Sequence, residues 1–545
     1  MRRGVGAALL CTALAACATT SRPPEQAQAY ADYLVARIAN LREDHEAAAD
    51  RYWAALQRQP GDDALIAGAV AASLASGDSD RARQAARLAP RDNAPAQVYL
   101  VRAVDALAAR RWQASSDALL AAQGTAAEEL MARILLVWAR TAQSQSDEVL
   151  LELAPLAQIR PYGGLLAYQQ AMALDFEGRN EEAIAAYDLA ARGGLWLPPA
   201  VERQADLLNR VGRGADAASA LDQEGNRSNP ALAAARARLQ QGGPVAPAPL
   251  TPARGAAVGL YGMAAIFQQE GDDANALSAL TLALMLDPEF DGARLTFAQM
   301  HARLGHASLA RAAYADIGAA SPYASAARVL DAWVVFDGGG HDEAIALLRT
   351  AADSGDARAL RAVADMNRDL DRHPEAERAY SALLAAQPDD WRLLFARGAA
   401  RERQGRWPEA EADFLRALEL SPEQPDVMNY LGYSWVDRGV RLQEGLAMLQ
   451  RAVQLRPHSG AILDSLGWAH FRLGDYDQAL EYIERAVELE PADATLNDHL
   501  GDVYWRVGRR TEARFQWRRA MTLDPDAAAA AQAKLDAGLP DVARP

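Results

Sequence analysis

The residues best able to do chemistry in this chain are its eight histidines: His45, His301, His306, His341, His373, His458, His470 and His499. A metal-assisted hydrolase would place two of them on one helix face, as in HExxH. No such pair occurs; His301 and His306 are five apart and share a helix face poorly. His470 falls at a helix core position and reads as structural. Nucleophile and phosphate motifs (GxSxG, GxxxxGK[ST], GxGxxG) are absent. The one glycine run, "DGGGH" at 337–341, reads as a turn. Acid pairs such as Glu181-Glu182 sit at helix starts, where the helix dipole favours them. These observations predict a non-enzyme with no catalytic residue, no metal site and no cofactor.

The remaining reactive group is a thiol. The two cysteines are Cys11 and Cys17, so no disulfide framework or cysteine metal site is possible further along. The start "MRRGVGAALLCTALAACATT" has Arg2 and Arg3, then an apolar run too short to span a bilayer, then Leu14-Ala15-Ala16-Cys17. The last four residues resemble a bacterial lipobox. That resemblance implies a signal peptide over 1–16, acylation of Cys17, and a lipidated tether over 17–28. The other reading is an ordinary signal cleaved near an incidental cysteine. Ala18 follows the cysteine, with no aspartate to resemble an inner-membrane retention signal. The expected address is therefore the periplasmic face of the outer membrane of a Gram-negative bacterium.

Composition narrows the partners. The chain has 545 residues, half of them hydrophobic, and a net charge of −16. That balance argues against nucleic-acid binding, which needs clustered Lys/Arg, and against a basic membrane patch. Only one of the 56 basic residues is lysine, Lys534. Beyond the start, no stretch is long and apolar enough to cross a membrane.

A fixed period positions everything else. Pro388, Pro422, Pro457, Pro491 and Pro525 are spaced by 34, 35, 34 and 34 residues. Numbering each repeat so that its proline is position 32, Leu466-Gly467 and Leu500-Gly501 occupy positions 7 and 8. Gly405, Gly474 and Gly508 fall at 15, Ala410, Ala479 and Ala513 at 20, and Phe414, Ile483 and Trp517 at 24. Small residues at 8 and 20 let two helices approach closely, and the glycine at 15 ends the first. Pro374 and Pro408 suit the first turn of the second helix, where no N–H is needed. The pattern resembles the tetratricopeptide repeat, two antiparallel helices per 34 residues. It implies an all-α, superhelical solenoid of helical hairpins in two segments: a degenerate array over 29–241, a Gly/Pro linker over 242–252, and a regular array over 253–525. Residues 526–545 read as a capping helix and tail, which an open solenoid needs.

The stretch "ILDSLGWAHFRLGDYDQAL", 462–480, carries more bulk than a core needs. At about 100° per residue, Trp468 and Phe471 lie away from the Leu463–Leu466 core face. In the repeat register they fall on positions that line the concave groove. The predicted protein-binding groove comprises Asn429, Tyr433, Asp464, Trp468, Phe471, Arg472, Asp498, Trp505 and Arg506. Aromatics with arginine are the composition of interface hot spots. The other reading is packing against the neighbouring hairpin or the cap. Position 5 is acidic or amide here, unlike the basic carboxylate clamp that holds chaperone-tail peptides.

The run "MNYLGYSWVDRG…LDSLGWAHFRLGDYDQALEYIERAVELEP…LNDHLGDVYWRVGRRTEARFQWRRA" also resembles proteobacterial outer-membrane lipoproteins with tetratricopeptide arrays. One such type is the lipoprotein adaptor of the periplasmic C-terminal processing protease (LbcA-type). The resemblance implies a scaffold that binds that protease and delivers peptidoglycan hydrolases to it, with the membrane reached through a lipid anchor. It names no protease-binding residue. Two alternatives stay open: an assembly factor for outer-membrane or secretion machinery, and a regulator of peptidoglycan synthesis.

Overall fold

The computed structural model describes residues 25–153, 162–193, 195–525 and 528–540. Cys17 and the expected signal peptide lie outside the described residues. Among the described residues the chain is helical and has no strand. Its fold is the tetratricopeptide-type solenoid of antiparallel helix pairs. It divides into two compact units, Met1–Ala344 and Ile345–Pro545.

In the second unit the repeat register becomes geometry. Helix Gly460–Arg472 pairs with Tyr476–Leu489, and Ala494–Arg506 pairs with Arg510–Leu523. A Cβ on Gly467 would sit 2.4 Å from Ile483 Cγ1, and one on Gly501 would sit 2.5 Å from Trp517. Those distances are far inside van der Waals contact, so position 8 must be bare for the helices to meet. Ala479 and Ala513 at position 20 are fully buried. Gly474 and Gly508 close the turns with φ of 84° and 86°, a region costly for side-chain-bearing residues. The 35-residue repeat places its extra residue in the turn between helices Pro425–Asp437 and Leu442–Leu455. Arg441 adopts φ 47° there.

The first unit departs from the expected domain plan. The Gly/Pro segment 242–252 does not separate two arrays; the compact units meet at 344/345 instead. The reason is packing on both sides of the segment. Val245 is buried, and the N–H groups of Val245 and Ala246 donate to Asp206 Oδ1 at 3.0 and 3.1 Å. The following helix, Pro252–Glu270, then lies against earlier helices through Gly255, Gly259 and Gly262. Cβ atoms at these positions would meet Trp138, Ile134 and Leu165 at 2.1, 2.4 and 2.4 Å. Trp138 is fully buried and its indole N–H donates to Gln169 Oε1 at 2.6 Å. The partner helix, Asp273–Leu286, reaches Asp63–Ser76, where the Thr281 hydroxyl donates to Leu74 O at 2.7 Å. Helix Asp273–Leu286 is apolar almost all round because neighbours cover it almost all round.

The histidines need one correction. His301 and His306 do meet: their Nδ1 atoms are 3.1 Å apart. His306 stands at the N-cap of helix Ala307–Ala315, and its backbone N–H returns to His301 O at 2.8 Å. A tight turn, not a shared helix face, brings the rings together. Among the described residues no group of three or more His, Cys, Asp or Glu side chains is arranged to hold a metal ion.

Candidate protein-binding groove

The predicted groove residues sit on the first helices of the last three repeats, in Pro425–Asp437, Gly460–Arg472 and Ala494–Arg506. Tyr433, Trp468, Phe471 and Trp505 are all half-buried. Trp468 is the centre of the arrangement. Its ring stacks on Phe471 at 4.7 Å and 13°, and on His499 of the next helix at 4.0 Å and 16°. His499 donates from Nδ1 to the buried Asp464 carboxylate at 2.9 Å. Burial by itself would depress the His499 pKa. The Asp464 charge and hydrogen bond, with Asp502 and Asp498 behind them, outweigh burial and raise it. A protonated imidazole against an indole face is a favourable cation–π arrangement. The indole is therefore held against the ring of a hydrogen-bonded His499–Asp464 pair.

Around this stack lie charges with visible assignments. Arg472 pairs with Asp437 across adjacent repeats at 2.8 Å, and both are exposed. Burial first, then Asp437 and Asp464, raise the Tyr433 pKa, so its hydroxyl remains a donor. Four of the predicted residues also hold buried polar atoms with no hydrogen-bond partner among the described residues. They are Asn429 Oδ1, Trp468 Nε1, Asp498 Oδ1 and Arg506 Nε. Two are acceptors and two are donors. Buried polar groups are ordinarily satisfied; these four atoms are closed off from the surface, so a chain lying on the groove does not reach them as they stand.

In the last repeat the other reading, packing against the cap, holds for part of the set. Helix Ala528–Ala537 closes it: Lys534 Nζ reaches Asp498 at 2.5 Å and Asp502 at 2.8 Å. The two carboxylates outweigh burial and raise the Lys534 pKa. Trp505 packs 5.4 Å from Trp517, under the Arg510 guanidinium at 3.9 Å, with Gly538 against its ring. Trp505 and Asp498 thus serve the cap, and Phe471 packs against the cluster that includes the cap residues Ala531 and Leu535. Sequence reasoning did not place His499 or Lys534 at the site. Lys534 carried a signal, being the chain's single lysine. His470, expected to be structural, is buried beside Tyr482 at 5.6 Å, with Asp475 at 3.2 Å.

Comparison with known proteins agrees with this register. Two family models, each described as tetratricopeptide repeat, match the chain. One matches residues 329–390, 367–425 and 395–460, and the other matches 460–493. Residues 329–493 therefore carry tetratricopeptide repeats, a fold that serves protein–protein interaction. A curated relative, the TPR repeat-containing protein PA4667 of Pseudomonas aeruginosa, is 31% identical over 116 residues. That match spans 21% of this chain and 20% of the relative, so the chain aligns with only about a fifth of that protein's length. Among solved structures, the APC/C hetero-tetramer Cut9-Hcn1 is 14% identical with a TM-score of 0.40, covering 98% of this chain and 99% of that one. A tetratricopeptide repeat protein from Parabacteroides merdae is 17% identical with a TM-score of 0.39, covering 45% and 97%. YrrB, described as a TPR protein with an unusual peptide-binding site, is 23% identical with a TM-score of 0.27, covering 34% and 97%. At these TM-scores the likenesses say nothing about what this chain binds.

Proposed function

We propose that this chain is a non-catalytic scaffold, acylated at Cys17 and held on the periplasmic face of the outer membrane. It binds a protein partner in the groove centred on Trp468. The observation that carries the reading is the stack of half-buried Trp468 and Phe471, flanked by half-buried Tyr433 and the exposed Arg472. Aromatic anchors supply apolar contact area, and arginine beside aromatics is the composition of interface hot spots. The resemblance to LbcA-type lipoprotein adaptors favours one class of partner: a C-terminal processing protease, brought together with its peptidoglycan-hydrolase substrates.

The test uses the chain from Ala18 as bait in envelope extract, with cross-linking and mass spectrometry, beside a Trp468→Ala/Phe471→Ala variant. Capture of a processing protease or cell-wall hydrolase by the parent, lost in a variant with unchanged helicity, supports both adaptor and groove. Retention by the variant moves the site elsewhere. Capture of barrel-assembly or secretion components replaces the protease role with an assembly role. Binding to glycan strands replaces it with regulation of the cell wall.

A further inference from the structure

The first described helix, Glu25–Leu41, has two apolar faces. Ala29, Asp32, Ala36 and Ala39 face the core. At about 100° per residue, Tyr30, Leu34, Ile38 and Leu41 fall within one sector on the opposite side, with Val35 adjoining it. These five side chains are between 42% and 81% exposed. No other described helix leaves more than two large hydrophobic residues exposed. One outward apolar side chain needs no explanation, but a stripe of five does.

We propose that this stripe is a membrane-interface surface, on which the first helix lies along a phospholipid bilayer. Three observations choose lipid as the occupant. The first is charge. Asp32 is buried and paired with Arg51 at 3.2 Å and Arg58 at 2.9 Å, and Glu25 stands on the core side of the helix. No carboxylate of this helix borders the stripe and Arg37 flanks it, while Arg42, Glu43 and Asp44 follow the helix end. In a chain of net charge −16, this face is locally suited to phosphate headgroups, with Arg37 able to reach them from the stripe's edge.

The second observation is the length of chain. Between Cys17 and Glu25 lie seven residues, a reach of at most about 25–30 Å even when extended. An acylated Cys17 therefore keeps the stripe within reach of the bilayer, so this argument rests on the lipidation proposed above. The third is area. The stripe is about 16–18 Å long and presents at most a few hundred Å². A stable dimer needs roughly 800 Å² per partner. Interfacial partitioning has no such threshold, because it grows with each apolar side chain inserted.

The full sequence has cysteine only at 11 and 17, so a new cysteine can be labelled cleanly in either the processed acylated protein or the chain from Ala18. Ile38→Cys and, as control, the exposed Glu419→Cys each receive an environment-sensitive fluorophore. Each protein is added to phosphatidylethanolamine–phosphatidylglycerol vesicles with and without brominated acyl chains. The expected result is strong quenching at position 38 and none at 419 in both forms. Leu34→Glu/Leu41→Glu should weaken vesicle partitioning of the chain from Ala18 by about tenfold or more. Intact-mass analysis of the envelope-purified N-terminal peptide reads acylation separately. If Cys17 carries no lipid but position 38 is quenched, the stripe stands and the lipidation reading fails. If Cys17 is acylated and position 38 stays unquenched, the stripe proposal is overturned while lipidation stands. A concentration-dependent dimer abolished by Leu34→Glu/Leu41→Glu also overturns it, in favour of a second copy.

Discussion

Acidification should loosen one seam of the first unit, and the histidines there set its size. His45 opens helix His45–Arg58, His301 lies in Asp291–Arg303, and His306 stands in the turn after it. The His45 and His306 rings are 6.0 Å apart, and Phe297 covers His301 at 4.4 Å. His301 is fully buried. Burial first, then His306 and His45, push its pKa down to about 3, against a weaker upward pull from the Ala75 backbone. Burial and then His306 lower His45, with Asp44 and Asp273 opposing. A histidine whose folded pKa lies below its unfolded value near 6.5 binds its proton in the unfolded chain. Its stabilising contribution is present at neutral pH and is lost as pH falls below about 6.5. At about pH 5, His301 alone costs about 2 kcal/mol, from roughly 1.4 kcal/mol per pH unit over about 1.5 units. His45 adds to the loss in the same direction.

Hydrogen exchange by mass spectrometry reads this helix by helix and does not require the two units to unfold together. Corrected for intrinsic rates, protection in His45–Arg58 and Asp291–Arg303 should fall about 30-fold between about pH 7.5 and pH 5. His301→Leu should remove most of that difference. Equal protection at both pH values, or an unchanged fall in His301→Leu, would refute the reasoning.

The second unit should respond with the opposite sign. His499 has a raised pKa, so its contribution is complete below about pH 6.5 and fades as pH rises through the folded value. Exchange protection in Ala494–Arg506 should therefore be greater at mild acid than at alkaline pH, and Asp464→Asn should abolish the trend. Gly501→Val places a branched side chain where Trp517 already stands, 2.5 Å away. A loss of about 1–3 kcal/mol, read by urea unfolding, is expected. Lys534→Met leaves the buried Asp502 carboxylate without its cation. It should release Ala528–Ala537, with a local loss of about 1–3 kcal/mol seen as faster exchange there and in Ala494–Arg506.

What the sequence by itself determined is everything that repeats. Gly467 against Ile483, Gly501 against Trp517, the turn glycines 474 and 508, and the all-helical hairpin solenoid all follow from contacts inside one 34-residue unit. Such contacts recur at the same offset, so type and spacing identify them in one chain. Neighbours on one helix were legible in the same way. Repeat register put Trp468 and Phe471 side by side, and the structure stacks them. Only the tertiary structure decided the contacts that occur once. Docking of helix Pro252–Glu270 on Trp138, the Val245 strap on Asp206, the meeting of His45 with His306, and Lys534 capping Asp498 and Asp502 join non-equivalent residues. Residues 242–252 looked like a linker because proline and glycine interrupt helices whether or not the chain then packs. Their role depended on Asp206 being in place to receive two backbone N–H groups. Periodicity records which side of a helix faces inward. What lies against that side, when the partner comes from elsewhere in the chain, is decided by packing alone.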